Sequence, residues 1–299
     1  MSSKWTTANI PDQTGRNAIV TGSNSGIGLE AARELVRKGA TVTLAVRNED
    51  RGIAARENIL ADIPEASVKV ELLDLADLQS IRSFAQKFAG NNERLDLLIN
   101  NAGIMIPPYG KTKDEFETQF GTNHLGHFTL TAILFPLLAK TADSRIVNVS
   151  SSAHHMGRII FEDLHWDDRR YIAWRAYGDS KIANLYFTYE MDRKLKAVGS
   201  DMVVTAAHPG WSATELQKTP GMRLMTRLVG QSAEMGALPT LMAATLESCR
   251  GAEYFGPSGL FEAWGHPKQV ASNRLSHDEK TAQQLWQISE ELTGTVFNI

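Results

Sequence analysis

Residues 17 to 28 read Asn-Ala-Ile-Val-Thr-Gly-Ser-Asn-Ser-Gly-Ile-Gly, and the architecture of the chain can be worked out from them. Their first half holds a short apolar run, Ala18 to Val20, of the kind found in a buried parallel strand. A glycine-rich turn follows, and residues 26–37 then place apolar side chains near helical spacing. A strand, a glycine turn and a helix N-terminus make an anion site, because unpaired amides at the helix start face the ligand. The stretch therefore predicts a pyrophosphate-binding turn.

The glycines of this turn are spaced G-x-x-x-G-x-G rather than the G-x-G-x-x-G of the standard dinucleotide fingerprint. A glycine turn between a strand and a helix also occurs for packing alone, so the motif by itself does not identify a cofactor. The candidate cofactor contacts in the turn are Gly22, Ser23, Asn24, Gly26, Ile27 and Gly28.

Strand-like and helix-like segments alternate from residue 17 to about residue 210. This alternation favours right-handed βαβ units and predicts an α/β fold, a Rossmann-like doubly wound parallel sheet with helices on both faces. Without a linker-like tract, residues 1–299 are expected to form a single domain. Its cofactor half would cover about residues 16–150, and its catalytic and substrate part about residues 151–299.

The apolar patterns also predict where the individual elements lie. Strands are expected at residues 18–20, 41–46, 68–72, 95–100 and 145–149, and helices at 26–37, 78–88, 116–138, 174–195 and 233–246. A last strand is expected within residues 253–261. Ser276-x-x-Glu279 predicts a capping box that opens a C-terminal helix.

Composition and charge narrow the range of partners. The net charge of −3 over 299 residues gives no reason to expect nucleic acid, which usually requires a basic field. The single cysteine, Cys249, excludes an intramolecular disulfide and fits a reducing compartment. The N-terminus lacks the apolar region of a signal peptide, and no run approaches the roughly 18 apolar residues of a membrane span. The expectation is a cytoplasmic protein with no membrane span.

Ligands in parallel sheets bind beyond the carboxyl ends of the strands, so the residues there are candidates. Arg47 directly follows the second strand, where an NAD site commonly has an acidic residue. A guanidinium there suits the 2′-phosphate of NADP, and NADP is therefore favoured over NAD. The alternative is that Arg47 is a solvated loop charge and that Glu49 or Asp50 reaches the ribose.

Tyr177 and Lys181 lie four residues apart in a helical segment, which places both on one helix face. An ammonium beside a phenol stabilises the phenolate and lowers the tyrosine pKa. Such a tyrosine can give a proton to a carbonyl oxygen or take one from an alcohol. In isolation the pair would fit a solvated helix face better than a catalytic site, because helices contain many such pairs.

The pair is not isolated, because further motifs accompany it in the order that the short-chain dehydrogenase/reductase family has them. Between residue 16 and about residue 250 they are Thr21-Gly22-x-x-x-Gly26-x-Gly28, Asp74-Leu75, Asn100-Asn101-Ala102-Gly103, Asn123, Ser150-Ser151, Tyr177-x-x-x-Lys181 and Pro209-Gly210-x-x-x-Thr214. The chain especially resembles the retinol-dehydrogenase-like branch, through Asn-His-Leu-Gly-His-Phe at residues 123–128 and Val-Ser-Ser-Ser-Ala-His at residues 149–154.

The resemblance implies a catalytic role for four residues. Tyr177 would be the general acid/base, and Lys181 would lower its pKa and bond the nicotinamide ribose. Ser151 would hold the substrate oxygen, with Ser150 as the competing choice. Asn123 would support a water that links Lys181 to solvent.

The resemblance also implies the cofactor contacts outside the glycine turn. Asn100, Ala102 and Gly103 would border the adenosine and ribose, and Asp74, beside Leu75, would accept a hydrogen bond from the adenine amine. Pro209, Gly210 and Thr214 would close over the nicotinamide and pyrophosphate.

The implied reaction is hydride transfer between the nicotinamide and a carbonyl carbon, in either direction. The expected substrate is a small-molecule carbonyl or alcohol, lipophilic in character. The alternatives are an NADPH-dependent carbon-carbon double-bond reductase and a non-catalytic NADP-binding sensor. Members of the family are often dimers or tetramers, which raises the question of a homo-oligomer.

Two segments and three histidines are open to two interpretations each. Residues 154–175 would either wall the substrate pocket or form a surface hairpin or partner contact. Residues 211–230 would be either a lid over an apolar substrate or a helix packed on the core. His124 and His127 fit helix packing better than a metal pair, because no other ligand accompanies them. His208 would contact either the substrate or the strand end.

Overall fold

The computed structural model describes residues 4–211 and 230–299. Thr214 and most of the segment 211–230 lie outside these residues. The strands are β1 Asn17–Thr21, β2 Thr41–Val46, β3 Val68–Leu72, β4 Leu97–Asn100, β5 Arg145–Val149, β6 Val203–Ala207, β7 Tyr254–Pro257 and β8 Pro267–Val270. The longer helices are α1 Gly26–Arg37, α2 Glu49–Asp62, α3 Leu78–Asn91, α4 Gly126–Ala139, α5 Ala173–Ala197, α6 Ala233–Thr245 and α7 Glu279–Thr293.

The strands form one sheet in the order β3-β2-β1-β4-β5-β6-β7-β8. Neighbouring strands are parallel from β3 to β7, and β8 pairs antiparallel with β7. The strand order reverses between β1 and β4, and such a switch point opens a crevice at the carboxyl ends of the strands. The predicted Rossmann-like, doubly wound fold is confirmed.

Two apolar cores lie on opposite faces of the sheet because alternate residues of a strand point in opposite directions. In β1, Ile19 packs into the core that includes Phe128 of α4 and Phe187 of α5. Its neighbour Val20 packs into the other core, with Leu35 of α1. The sheet is thus buried on both faces, which explains the uninterrupted apolar runs of its central strands.

The sequence-based boundaries needed three corrections. The last strand predicted within residues 253–261 is only β7, and β8 was missed because its exposed centre lacks an apolar pattern. The predicted capping box at Ser276 is wrong: α7 is capped by Asp278, whose carboxylate accepts a hydrogen bond from the Thr281 amide at 2.8 Å. The continuous helix predicted over residues 116–138 is interrupted by a π-helical turn, Gly121–Leu125.

None of the helices in the described parts of the chain combines the length and apolarity required to cross a membrane.

His124 connects the π-helical turn Gly121–Leu125 to the C-terminal helix α7. Its ring is buried between Phe120 and Phe128, and Nε2 lies 3.0 Å from Ser289 Oγ of α7. Burial lowers the pKa of His124 to about 3, because the charged imidazolium would lose its hydration. His124 is therefore neutral in the folded protein at neutral pH.

This burial predicts a pH-dependent stability contribution. The folded pKa lies below the unfolded value, so the contribution is present above that unfolded value and is lost as the pH falls toward the folded one. Between about pH 6.5 and pH 5 the loss from this residue is about 2 kcal/mol. His124→Leu removes the titrating group, so the stability difference between wild type and variant should shrink by that amount. Urea unfolding of both proteins at the two pH values measures it, and a difference that does not change with pH would contradict the assignment.

Candidate active site

A cavity of about 390 Å³ opens at the carboxyl ends of β1, β2, β4 and β5. This is the position that the strand order predicts for a ligand. The sequence-predicted residues that line it are Gly22, Asn24, Gly26, Ile27, Gly28, Arg47, Asp74, Leu75, Ala102, Gly103, Tyr177, Lys181 and Pro209. The tertiary structure thus brings most of the predicted cofactor contacts and two predicted catalytic residues into one cavity.

The glycine turn is shaped by close backbone contacts. Gly22 has a φ of +65°, and a Cβ atom built on it would lie 2.8 Å from the Cα of Ala102. A Cβ atom on Gly28 would lie 2.6 Å from the carbonyl oxygen of Gly22. Ser23 closes the turn from inside, because its buried hydroxyl donates to the Val20 carbonyl at 2.8 Å. Helix α1 therefore starts at the cavity, with first-turn amides available to an anion.

Two arginines lie where α2 begins. Arg47 and Arg51 are both exposed and both line the cavity, whereas Glu49 and Asp50 are outside its lining. Asn48 caps the helix by accepting a hydrogen bond from the Arg51 amide at 2.9 Å. Sequence reasoning missed Arg51, although its spacing of four from Arg47 was a usable signal. A pair of guanidinium groups at this edge favours a phosphate-bearing ligand.

Asn100 was predicted to border the cofactor, but it is the next residue, Asn101, that lines the cavity. The Asn100 side chain is buried and donates to Asn148 Oδ1 at 2.8 Å and to Thr131 Oγ1 at 3.0 Å. It connects β4 to β5 and α4, and the residue that lines the cavity is Asn101. The Asn101 side chain donates to the Thr21 carbonyl at 2.8 Å, which joins the ends of β1 and β4.

Helix α5 places Tyr177 and Lys181 on the cavity wall, both deeply buried. Lys181 Nζ donates to the Val149 carbonyl at 3.0 Å and lies 5.6 Å from the centre of the Tyr177 ring. Burial lowers the pKa of Lys181 to about 8. Burial also raises the pKa of Tyr177 to about 12, and a hydrogen bond with Ser151 offsets part of this rise. The predicted lowering of the tyrosine pKa is therefore corrected, because desolvation is the largest influence on the Tyr177 phenol in this structure.

The two adjacent serines differ in their surroundings. Ser150 is buried in the cavity lining, of which Ser151 is not a part, and the Ser150 hydroxyl donates to the Lys181 carbonyl at 2.8 Å. Ser151 is partly exposed and is the serine that reaches the Tyr177 phenol. His154 Nδ1 donates to the Ser151 carbonyl at 2.7 Å and so holds its backbone. This geometry favours Ser151 over Ser150 as the residue that could bind a substrate oxygen.

Asn123 lies in the π-helical turn, fully buried. Its Oδ1 accepts from the Ile104 amide at 2.9 Å, and its Nδ2 donates to the Ile104 carbonyl at 3.0 Å and to Ser180 Oγ at 2.9 Å. Single π-helical turns are common at functional sites. Asn123 therefore connects the loop after β4 to the helix that carries Lys181.

Two predicted residues and one segment lie beside the cavity rather than in its lining. His208 is buried, with Nε2 at 2.9 Å from Glu262 Oε2, which supports the strand-end interpretation. Gly210 has a φ of +64° and packs against the Ala263 carbonyl. In the segment 154–175, Tyr171 donates to buried Glu117 at 2.9 Å. No residue of that segment lines the described cavity.

Comparison with known proteins shows the family that the chain matches and the proteins to which it is similar. Residues 16–222 match the family model described as short chain dehydrogenase. Retinol dehydrogenase 12 from Mus musculus is 42% identical over 287 residues, covering 94% of this chain and 87% of the mouse protein.

Two solved structures are also similar. A crystal structure of an uncharacterized protein from Mycobacterium paratuberculosis has a TM-score of 0.85 and 44% identity, covering 99% of this chain and 100% of that one. A short chain dehydrogenase from Shigella flexneri, solved in complex with NADP, has a TM-score of 0.62 and 26% identity, covering 81% of this chain and 96% of that one.

The contact between Gly22 and Ala102 predicts a sharp effect of one methyl group. Gly22→Ala should weaken binding of a nicotinamide cofactor by about tenfold or more, because Ala102 must move out of the cavity floor. Gly15→Ala is the matched control, since Gly15 has a φ of +78° but no atom within 4 Å of the added Cβ. Cofactor titration by fluorescence, with thermal unfolding of both variants, separates the clash from the shared cost of positive φ. Equal affinities in the two variants would contradict the prediction.

Proposed function

Because this chain belongs to the short chain dehydrogenase family, we propose that it is an NADP-dependent oxidoreductase that interconverts a carbonyl compound and an alcohol, with Tyr177 as the general acid/base. One observation carries this proposal: Tyr177 and Lys181 line the same cavity as the glycine turn, with Ser151 at the phenol. A proton donor and a dinucleotide-binding turn in one cavity are what a carbonyl reductase requires.

The pKa of Tyr177, raised to about 12, keeps the phenol protonated at neutral pH. This is the state needed to donate a proton to a carbonyl oxygen during reduction. When bound, the nicotinamide supplies the hydride to the carbonyl carbon. Tyr177 donates its phenolic proton to the oxygen, and the Lys181 ammonium stabilises the phenolate that remains. The reverse sequence oxidises the alcohol.

Ser151 and Asn123 support this proton transfer. In this proposal the partly exposed Ser151 hydroxyl, which reaches the Tyr177 phenol, holds the substrate oxygen. Asn123 borders Gly103 together with Lys181, since a Cβ atom on Gly103 would lie 3.3 Å from Asn123 Oδ1 and 3.5 Å from Lys181 Nζ. It therefore holds the backbone around the ammonium, consistent with the proton-relay role that the resemblance implies.

The cofactor preference rests on the arginines. Arg47 and Arg51 line the edge of the cavity where a 2′-phosphate would lie, and both can form charge-assisted hydrogen bonds with it. Asp74 and Leu75 line the same region and would border the adenine. The NADP complex of the Shigella flexneri relative supports this cofactor choice.

A lipophilic substrate is the substrate class that we propose. The cavity wall beyond Gly103 is formed by apolar residues, Ile104, Met105 and Pro107. The similarity to a protein named as a retinol dehydrogenase supports the same class.

Replacing Tyr177 by Phe removes the proton donor and little else. The turnover number for NADPH oxidation, assayed across apolar aldehydes, ketones and quinones, should fall about 10²- to 10⁴-fold while cofactor affinity changes little. Tyr189→Phe is the matched control on the same helix, where the phenol bonds Ser272 at 2.7 Å outside the cavity lining. Unchanged turnover in Tyr177→Phe would refute the acid/base role, and cofactor binding without any wild-type turnover would favour a sensor.

Removing both guanidinium groups should reverse the cofactor preference. Arg47→Ala combined with Arg51→Ala is expected to weaken NADPH binding by about 100-fold and to leave NADH binding within about threefold. Lys69→Ala, which removes an exposed cation outside the cavity lining, controls for general charge. Isothermal titration with both cofactors measures the change. A parallel loss for NADH and NADPH would contradict the phosphate contact.

A further inference from the structure

His127 is a buried imidazole with a partner on each ring nitrogen. Its Nε2 lies 2.9 Å from Thr21 Oγ1, at the end of β1, and its Nδ1 lies 3.0 Å from the carbonyl oxygen of Asn123. Thr21 and Asn123 belong to predicted motifs, and His127 itself lies in the Asn-His-Leu-Gly-His-Phe stretch, but the resemblance implied no role for His127. The contacts run from the cofactor-binding half of the cavity to the catalytic half.

The partners determine which nitrogen carries the proton. A carbonyl oxygen can only accept, so Nδ1 of His127 must donate to Asn123. In the neutral ring Nε2 then has a lone pair, and the Thr21 hydroxyl can donate to it at 2.9 Å or to the more distant Ile99 carbonyl at 3.4 Å; the shorter contact favours Nε2. Thr21 Oγ1 in turn accepts from the amides of Asn101 and Ala102, each at 2.9 Å. Each donor is matched by an acceptor when His127 is neutral and protonated on Nδ1.

This chain of hydrogen bonds holds the loop after β4 from two directions. The amides of Asn101 and Ala102 are bound through Thr21 and His127 to the Asn123 backbone. The Asn123 side chain binds both backbone groups of Ile104. Residues 101–104, which form the cavity floor, are therefore connected to Asn123 at both ends.

The floor has little room to shift. A Cβ atom on Gly103 would already lie 3.3 Å from Asn123 Oδ1, and one on Gly22 would lie 2.8 Å from the Ala102 Cα. The distance between the floor and Lys181 is therefore constrained to within about the size of one methyl group. Misplacement by about 1 Å at a reacting centre can cost about 100-fold in rate.

We propose that His127 is a positioning residue that, as the neutral Nδ1-protonated imidazole, holds the cofactor floor at residues 101–104 in register with Asn123 and Lys181. This inference rests on the proposed function for its catalytic consequence. Its consequence for cofactor binding does not depend on which carbonyl compound is reduced.

Three variants separate positioning from mere packing. His127→Leu removes both hydrogen bonds, and His127→Gln keeps one donor and one acceptor on a planar amide. His124→Leu is the matched control, because this histidine is equally buried three residues away and bonds Ser289 instead. Affinity for NADPH and NADH, turnover number and melting temperature are measured for all three and for wild type.

The proposal predicts that His127→Leu weakens binding of the preferred cofactor about tenfold and lowers turnover about 10- to 100-fold. His127→Gln should recover most of the lost cofactor affinity and most of the lost turnover. His124→Leu should change cofactor affinity and turnover by less than about threefold, even when its melting temperature falls as much as that of His127→Leu. Nitrogen-15 spectra of the wild-type rings should show Nδ1 protonated and Nε2 unprotonated at neutral pH.

Equal defects in His127→Leu and His124→Leu, absence of recovery in His127→Gln, or a proton on Nε2 would each overturn the inference. A wild-type protein that binds a cofactor but turns over no carbonyl compound would refute the proposed reaction alone, since the binding ratios still decide the role of His127. A wild-type protein that binds neither cofactor would overturn both.

Discussion

The structure depends on the close approach of two backbones at the ends of β1 and β4. Gly22 can accept Ala102 against its Cα because it has no side chain and a positive φ. These strands are neighbours at the point where the strand order reverses. Their contact therefore forms the floor of the crevice that opens at the carboxyl ends of the strands. The amides at the start of α1, the arginines at the start of α2 and the loop after β4 then all face one cavity.

Burial, more than charge pairing, sets the electrostatics of the catalytic residues. It raises the pKa of the Tyr177 phenol and lowers the pKa of the Lys181 ammonium, because each charged form loses hydration. Both shifts favour a neutral phenol in the resting protein, which suits donation of a proton to a carbonyl. The same principle keeps His127 neutral, since burial lowers its pKa to about 4. A polar network can occupy this depth because nearly all of its groups have hydrogen-bond partners.

The features that sequence reasoning located correctly share one property: each is local in the chain. The glycine turn, the strands from β1 to β5 and the four-residue spacing of Tyr177 and Lys181 follow from periodicity within about a dozen residues. The features it missed depend on partners far away. The π-helical turn at Asn123 is held by Ile104 and Ser180, and β8 is a strand because β7 pairs with it. Neither the partners of Asn123 nor the pairing of β8 with β7 can be read from the residues of the segment itself.

By itself, the sequence determined the doubly wound fold, the position of the glycine turn and the pairing of Tyr177 with Lys181. Only the tertiary structure decided that Asn101 rather than Asn100 lines the cavity, and that Ser150 lies in the lining while Ser151 reaches the Tyr177 phenol. The reason is that successive residues along an extended backbone point to opposite sides, so an error of one position reverses the assignment. It also decided the role of His127, because a histidine's partners, and hence its protonated nitrogen, come from segments that are distant in the chain.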